Sequence, residues 1–165
     1  MMQCMLDESI GIDPKVLRNA LGHFATGVTI VTAQTERGPV GITVNSFASV
    51  SLDPALVLWS IDRNGSRYDM FRYAEHYAIH VLRAQQSDLA FKIVKNARDF
   101  GDLDLVGGEH GVPIIPQCLA VFECQQTEVY RGGDHDIILG EVKRLRTLEG
   151  DGLGFFKGQM MTVRS

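Results

Sequence analysis

Apolar positions at helical spacing mark the first element of the chain. Asp13-Pro14 has the form of an N-cap residue followed by proline at the first helical position. Apolar residues then recur three and four positions apart, at Val16, Leu17, Ala20, Leu21 and Phe24, and Gly27 is a natural stop for the helix. Two shorter helices are predicted further on. One runs from a capping box Ser66-x-x-Asp69 through about Glu75, and the other is capped by Ser87 and carries Leu89, Ala90, Ile93 and Val94.

Runs of β-branched and apolar residues predict strands in the rest of the chain. These runs occupy residues 28–32, the stretch that starts at 41, and residues 55–61, 77–82, 119–131 and 136–148. The first two are joined by a Gly-Pro turn into a predicted hairpin, and the last two meet at a glycine-rich turn, Gly132-Gly133-Asp134. The run 55–61 is nearly continuous in apolar residues, which predicts burial on both faces.

The order of these elements indicates the fold class. The strands are consecutive and linked by hairpins, and no long helices alternate with them, so the sheet is predicted to be mainly antiparallel. Residues 96–117 show no clear period and are predicted to form a long surface loop. We therefore expect a mainly β fold with a few helices, in which a sheet of about six strands closes into a barrel.

Length, charge and cysteine content narrow the class of protein. The 165 residues suit a single domain, 1–165, with its core at about 16–160. A net charge of −4 argues against general electrostatic binding to nucleic acid or to an anionic membrane. No apolar run approaches the ~20 residues that span a bilayer, and Met1–Glu8 lacks the features of a secretory signal. Cys4, Cys118 and Cys124 include no Cys-x-x-Cys pair, which is typical of reduced thiols, so we expect a cytoplasmic protein.

The stretch 41–54 carries the first indication of function. Thr43, Asn45, Ser49 and Ser51 alternate along it, and alternate side chains of a strand share one face. Neutral hydrogen-bonding groups flanked by Val, Phe and Leu suit a planar polar ring better than a metal ion or a charge. The same pattern also fits an ordinary polar face of a half-buried strand, which the pattern alone favours.

Two further places carry candidate chemistry. His135 follows Gly133-Asp134 at a hairpin tip, where an exposed imidazole can donate a hydrogen bond or a proton near neutral pH, or simply face solvent. Ser66 and Arg67 at a helix start suit a phosphate group, or an ordinary capped helix. The chain has no dinucleotide-binding or Walker glycine motif, no Gly-x-Ser-x-Gly elbow and no His-Glu-x-x-His, and we expect no metal site.

Three segments together resemble the flavin reductase-like family, the small reductase components of two-component flavin-dependent monooxygenases. They are residues 24–32, residues 41–54, and Gly133-Asp134-His135 ahead of Gly140-Glu141-Val142, and the resemblance runs from about Val16 to Phe156. It implies a split β-barrel of Greek-key arrangement, a homodimer, and FMN or FAD bound near the dimer interface.

The resemblance also implies a set of site residues. Those expected at the flavin are Thr43, Val44, Asn45 and Ser46 along the ring, Ser60 and Ile61 at a passing strand end, Ser66 and Arg67 at the ribityl or phosphate part, and Phe100 nearby. His135 matches the histidine on the nicotinamide side, and Phe156 lies in the tail segment that covers it. Asp99 stands where the family often has a lysine, with Arg98 as a replacement cation, and Lys157 stands where an arginine is usual.

The function implied is hydride transfer from NADH or NADPH to FMN or FAD, with reduced flavin then supplied to a partner oxygenase. His135 is the expected catalytic-site residue, and Thr43–Ser46 are expected to bind flavin while Ser49 and Ser51 are structural. An alternative of the same fold is a flavin-binding electron-transfer or storage protein that does not turn over nicotinamide. A barrel that binds no flavin and serves in protein contacts is a third possibility.

Overall fold

The computed structural model describes residues 11–165. Helix α1, Pro14–Leu21, begins as predicted, because the Asp13 carboxylate accepts hydrogen bonds from the backbone N–H groups of Lys15 and Val16 at 2.6 and 3.3 Å. It ends at Gly22, before the predicted stop at Gly27. The predictions about Cys4 and the start Met1–Glu8 lie outside the described residues.

Strands dominate the remaining elements. They are β1 (Thr26–Gly27), β2 (Thr29–Thr35), β3 (Gly38–Val44), β4 (Ala48–Leu52), β5 (Ala55–Asp62), β6 (His76–Val81), β7 (Val106–Gly107), β8 (Pro113–Ile114), β9 (Ala120–Gly132), β10 (His135–Thr147), β11 (Gly152–Phe156) and β12 (Gln159–Val163). Helix α2 spans Tyr68–Arg72, helix α3 spans Ser87–Lys95, and short 3₁₀ turns lie at Ala84–Gln86 and Glu109–Gly111. The prediction of a mainly β fold with a few helices is confirmed.

Seven strands form the main sheet, in the order β3-β2-β6-β9-β10-β5-β4, and all neighbouring pairs are antiparallel. Its two edge strands, β3 and β4, are consecutive in the chain and are joined by residues 45–47. A connection from Val44 to Ala48 reaches at most about 14 Å, whereas the edges of a flat seven-stranded sheet lie about 29 Å apart. The sheet therefore curls until its edges meet at this corner, as in a barrel whose hydrogen-bond ladder is left open on one side.

Two smaller sheets contact the main sheet. Strand β11 pairs with both β1 and β12, so the tail segment is packed into the fold. Strands β7 and β8 pair within the long loop 96–117, which therefore has more order than the sequence pattern indicated. No helix among residues 11–165 is long and apolar enough to cross a membrane.

Aromatic packing fills the interior of the curled sheet. The Trp59 ring meets Phe71 and Tyr77 edge-on, with ring centroids 5.7 and 5.9 Å apart. Gly140 lies against the Tyr77 hydroxyl, and the position has no room for a β-carbon. Cys118 and Cys124 are buried free thiols, and burial raises the thiol pKa to about 11 and about 12 respectively.

Three local predictions were wrong. The capping box at Ser66 does not form, because α2 starts at Tyr68 after Arg67 without any side-chain cap, and it ends before Glu75. Ser87 is the first residue of α3 rather than its cap, which is Gln86. Strand β5 buries Val57, Trp59 and Ile61 fully but their alternate neighbours only partly, so it is not buried equally on both faces.

Candidate functional site

The corner between β3 and β4 is held rigidly by hydroxyl groups. The Ser46 hydroxyl donates to the carbonyl of Ser60 at 3.2 Å and accepts from the Ser60 N–H at 3.0 Å. On the other side, the Thr29 hydroxyl donates to the carbonyl of Val44 at 2.9 Å. Asn45 sits between these anchors with its side chain exposed. The corner therefore presents Asn45 from a fixed backbone.

The Thr43 hydroxyl bonds to helix α3, whereas the alternating strand pattern indicates a hydroxyl free on a polar face. Its hydroxyl donates to the carbonyl of Ala90 in α3 at 2.9 Å. The bond secures α3 against β3, where Gly41 leaves just enough space for the Ile93 side chain. Thr43 thus shapes one wall of the region next to the corner, and its hydroxyl is already engaged.

A pocket of about 300 Å³ opens beside the end of β5. It is lined by Ile42, Ile61, Asp62, Gly65, Ser66, Arg67, Tyr68, Val94 and Lys95. Arg67 donates from Nη2 to the carbonyl of Val94 at 2.7 Å, at the C-terminal end of α3, where backbone carbonyls lack helical partners and favour a cation. Partial desolvation lowers the pKa of Arg67, yet arginine remains cationic. Two cations, Arg67 and Lys95, line the pocket against one carboxylate, Asp62, and Ser66 is exposed, so the pocket suits an anionic group such as a phosphate.

His135 stands next to this pocket across the sheet. It pairs in register with Asp62, which lines the pocket, and it is half-buried. Its Nδ1 lies 2.8 Å from a carboxylate oxygen of Asp134, and this hydrogen bond, followed by the imidazole's charge, lowers the pKa of Asp134. The contact occupies Nδ1 and orients the ring at the rim of the site.

The structure brings most of the predicted site residues together and leaves two apart. Ser46 is bonded to Ser60, and Ser60 precedes the pocket residue Ile61, so the corner, the β5 end, the turn at 66–67 and His135 form one contiguous region. Phe100 is only 6% exposed and packs over Gly41, in the core. Phe156 lies on the tail hairpin, under the Lys157 ammonium group at 5.3 Å from the ring centroid. Neither phenylalanine lines the 300 Å³ pocket.

Comparison with known proteins decides the family. Residues 21–164 match the model of the flavin reductase like domain. The chain belongs to the flavin reductase-like family. It is 53% identical over 148 residues to the FMN reductase (NADH) SmoA of Agrobacterium fabrum, covering 90% of this chain and 85% of that protein. It is 41% identical to the reductase component of the flavin-dependent trigonelline monooxygenase of Acinetobacter baylyi, covering 88% of this chain and 48% of that protein.

The structural comparison agrees. The NADH:FAD oxidoreductase SgcE6 of Streptomyces globisporus, solved in complex with NAD and FAD fragments, superposes with a TM-score of 0.83 at 36% identity, over 93% of this chain and 96% of that one. The chain spans 48 to 64% of the length of three of the curated relatives it matches, among them the trigonelline monooxygenase component. The resemblance seen in residues 24–32, 41–54 and 133–142 is thereby confirmed.

Arg98, the cation expected to replace the family lysine, is hydrogen-bonded to the β2–β3 hairpin. The Arg98 guanidinium donates to the carbonyls of Arg37, Gly38 and Pro39 at 3.0 to 3.3 Å, which ties the loop to the β2–β3 hairpin. Asp99 accepts a hydrogen bond from the Gly101 N–H at 3.1 Å. In this member of the flavin reductase-like family, Arg67 and Lys95 are therefore the cations that line the pocket.

Sequence reasoning missed a buried carboxylate beside the site. Asp136 directly follows His135 and accepts a hydrogen bond from the Tyr68 hydroxyl at 2.6 Å. It also lies 3.2 Å from Nε of Arg72 and 3.5 Å from Nε of Arg63. Asp136 occupies an inward strand position together with Ile138 and Gly140. A lone acidic residue at an inward position of a predicted strand was the sequence feature that could have indicated a buried, paired carboxylate.

Proposed function

We propose that the protein is an NAD(P)H-dependent flavin reductase, which transfers a hydride from NADH or NADPH to FMN or FAD and supplies reduced flavin to a partner monooxygenase. Membership of the flavin reductase-like family and the named reductase relatives support this activity. The structural observation that carries it is the convergence of the Ser46–Ser60 corner, the Ser66–Arg67 pocket and His135 in one region.

The residues of this region fit a flavin nucleotide. The pocket supplies a guanidinium, an ammonium and a hydroxyl for a phosphate, from Arg67, Lys95 and Ser66. The adjoining corner offers the neutral amide of Asn45 and backbone groups for a polar ring edge. The flavin, when bound, supplies the redox chemistry at its ring, and the protein binds and orients the two nucleotides.

His135 has a role that differs from those of the phosphate-binding residues. Its Nδ1 is held by Asp134, so its other ring nitrogen is the one oriented for a ligand. We infer that it orients the nicotinamide carboxamide or offsets charge, and that Phe156 and Phe100 contribute to cofactor binding less directly than the corner does.

Turnover of purified protein tests the activity. We expect oxidation of NADH or NADPH, measured as loss of the reduced nicotinamide's absorbance, only when FMN or FAD is added. The replacement His135→Ala should lower kcat more than it weakens flavin binding, while His110→Ala, an exposed loop histidine, should change neither. A tightly bound flavin with negligible nicotinamide oxidation would instead identify a storage or electron-transfer protein, and absence of flavin binding would exclude both.

A comparison of FMN with riboflavin tests the phosphate pocket. Arg67→Ala should weaken FMN binding by about tenfold or more, because a charge-assisted hydrogen bond is lost. Riboflavin lacks the phosphate, so its affinity should not change. Equal losses of affinity for FMN and riboflavin would show that the FMN phosphate does not bind in this pocket.

We also propose a homodimer. No residue of α1 is buried, and its apolar stripe is open to solvent, with Val16 62% and Leu21 64% exposed; Phe24, just after the helix, is 76% exposed. An apolar stripe of this kind requires a covering surface. Sedimentation should show a dimer, and Val16→Asp with Leu21→Asp should yield monomers, whereas Lys15→Asp on the polar side should not. A monomeric parent protein would contradict the proposed dimer.

The single-domain organisation and the cytoplasmic location stay predictions.

A further inference from the structure

A buried carboxylate links the two halves of the candidate site. Asp136 is 6% exposed, and an ionised carboxylate at such a position is costly unless it is paired and hydrogen-bonded. Its Oδ2 accepts from the Tyr68 hydroxyl at 2.6 Å and from Arg72 Nε at 3.2 Å, while Arg63 Nε forms an ion pair with Oδ1 at 3.5 Å. These partners satisfy the charge.

All three partners belong to the segment that builds the pocket. Arg63 lies in the turn after β5, and Tyr68 and Arg72 lie in α2, so Ser66 and Arg67 are enclosed between them. The Arg63 N–H also donates to the carbonyl of Asp134 at 3.0 Å. Because side chains alternate along a strand, Asp136 points to the opposite face from His135. One carboxylate therefore connects the strand that carries His135 to the segment that carries Ser66 and Arg67.

The segment is held by tertiary contacts: the buried Phe71 packs against Trp59, Arg67 donates to the carbonyl of Val94, and the Asp136 cluster ties it to β10. Helix α2 has five residues and no side-chain hydrogen bond at its N-cap. So short a helix is not stable without tertiary contacts. The hydrogen bond from the Tyr68 hydroxyl has the largest effect in lowering the pKa of Asp136, and the charges of Arg63 and Arg72 lower this pKa further. The carboxylate is therefore ionised at neutral pH.

We propose that Asp136 is a positioning residue of the reductase, which holds the Ser66–Arg67 turn and His135 in register with each other through Tyr68, Arg72 and Arg63. It acts without contacting either nucleotide. The inference rests on the proposed flavin reductase activity.

Steady-state kinetics on the full chain, with flavin and NADH varied separately, test it. Asp136→Asn should raise the KM for both nucleotides by about tenfold or more, since small displacements of positioned groups have large kinetic effects. The matched control is Glu123→Gln, because Glu123 is also a buried carboxylate, 4% exposed and 3.1 Å from Arg146, but does not line the pocket. Both variants should melt at lower temperature, and the control should keep both KM values within about twofold of the parent.

A second pair of variants covers the case in which Asp136→Asn does not fold. Tyr68→Phe removes one hydroxyl donor and should raise the KM for flavin more than that for NADH, because it loosens α2 alone. Tyr77→Phe, at a buried hydroxyl without a hydrogen-bond partner in the described chain, should change neither KM. Parental KM values in a folded Asp136→Asn, or in Tyr68→Phe, would make the cluster a purely structural ion pair. An inactive parent protein would overturn the proposed function and this inference together.

Discussion

Acidification should destabilise the fold through one buried histidine. His80 is fully buried in β6, where its Nδ1 lies 3.0 Å from the carbonyl of Ile30 and its Nε2 accepts from the Ile115 N–H at 3.1 Å. These partners assign the neutral tautomer with the proton on Nδ1. Protonation of Nε2 would remove the acceptor for Ile115 and place an unpaired charge in the core.

The size of the effect follows from the pKa. Burial lowers the pKa of His80 from 6.5 to about 4, although the bond to Ile30 acts in the opposite direction. The unfolded state therefore binds the proton more readily, so the stabilisation is complete above pH 6.5 and is lost as the pH falls toward 4. Between pH 7.5 and 5, the free energy of unfolding should drop by about 2 kcal/mol from this residue, and by about 3 kcal/mol once the pH is below both values.

Urea unfolding at pH 7.5 and at pH 5 measures this contribution. His80→Asn lacks the titrating group, so its free energy of unfolding should change by about 2 kcal/mol less than that of the parent protein over this range. The other histidines are present in both proteins and cancel in the comparison. Equal pH dependence in the two proteins, or an NMR titration of the His80 ring near 6.5, would refute the reasoning.

Three further results are expected. Ser46→Ala removes both hydrogen bonds to the β5 backbone and should lower the free energy of unfolding in urea by about 1–2 kcal/mol, whereas Ser49→Ala, at an exposed position in β4, should lower it by less than about 0.5 kcal/mol; equal values would contradict this. Gly140→Ala should destabilise by more than about 2 kcal/mol because its β-carbon meets the Tyr77 hydroxyl, and adding Tyr77→Phe should restore part of the loss; no recovery would point to another obstacle. Cys124, with its pKa raised to about 12, should resist iodoacetamide at pH 8 until the chain unfolds, as read by peptide mass spectrometry, and rapid native labelling would argue against its burial.

Elements encoded by local sequence were the ones that could be predicted. The β9–β10 hairpin follows from two long runs of β-formers and from Gly133, which adopts a φ of +73° in the two-residue turn. The start of α1 follows from Asp13 and Pro14, whose roles depend only on residues within the next turn. Such features need no knowledge of the rest of the chain.

Features that depend on distant partners could not be predicted from local pattern. The Thr43 hydroxyl bonds to Ala90, 47 residues away, and Tyr68 bonds to Asp136, 68 residues away. Ser66-x-x-Asp69 has the form of a capping box, but α2 begins at Tyr68, one residue later than that box predicts, and Tyr68 bonds to Asp136. A local pattern carries no information about such partners.

The position of the candidate site follows from where the sheet stays open. Strands β3 and β4 are the edges of the seven-stranded sheet, and an edge strand has backbone N–H and C=O groups that no neighbouring strand pairs. The corner 45–47 joins these edges, and the Ser46–Ser60 hydrogen bonds hold it against β5. A planar ring with polar edges can use such unpaired backbone groups, while a fully closed barrel would offer none. The opening between the two edge strands and the flavin site proposed for this chain therefore lie at the same corner of the sheet.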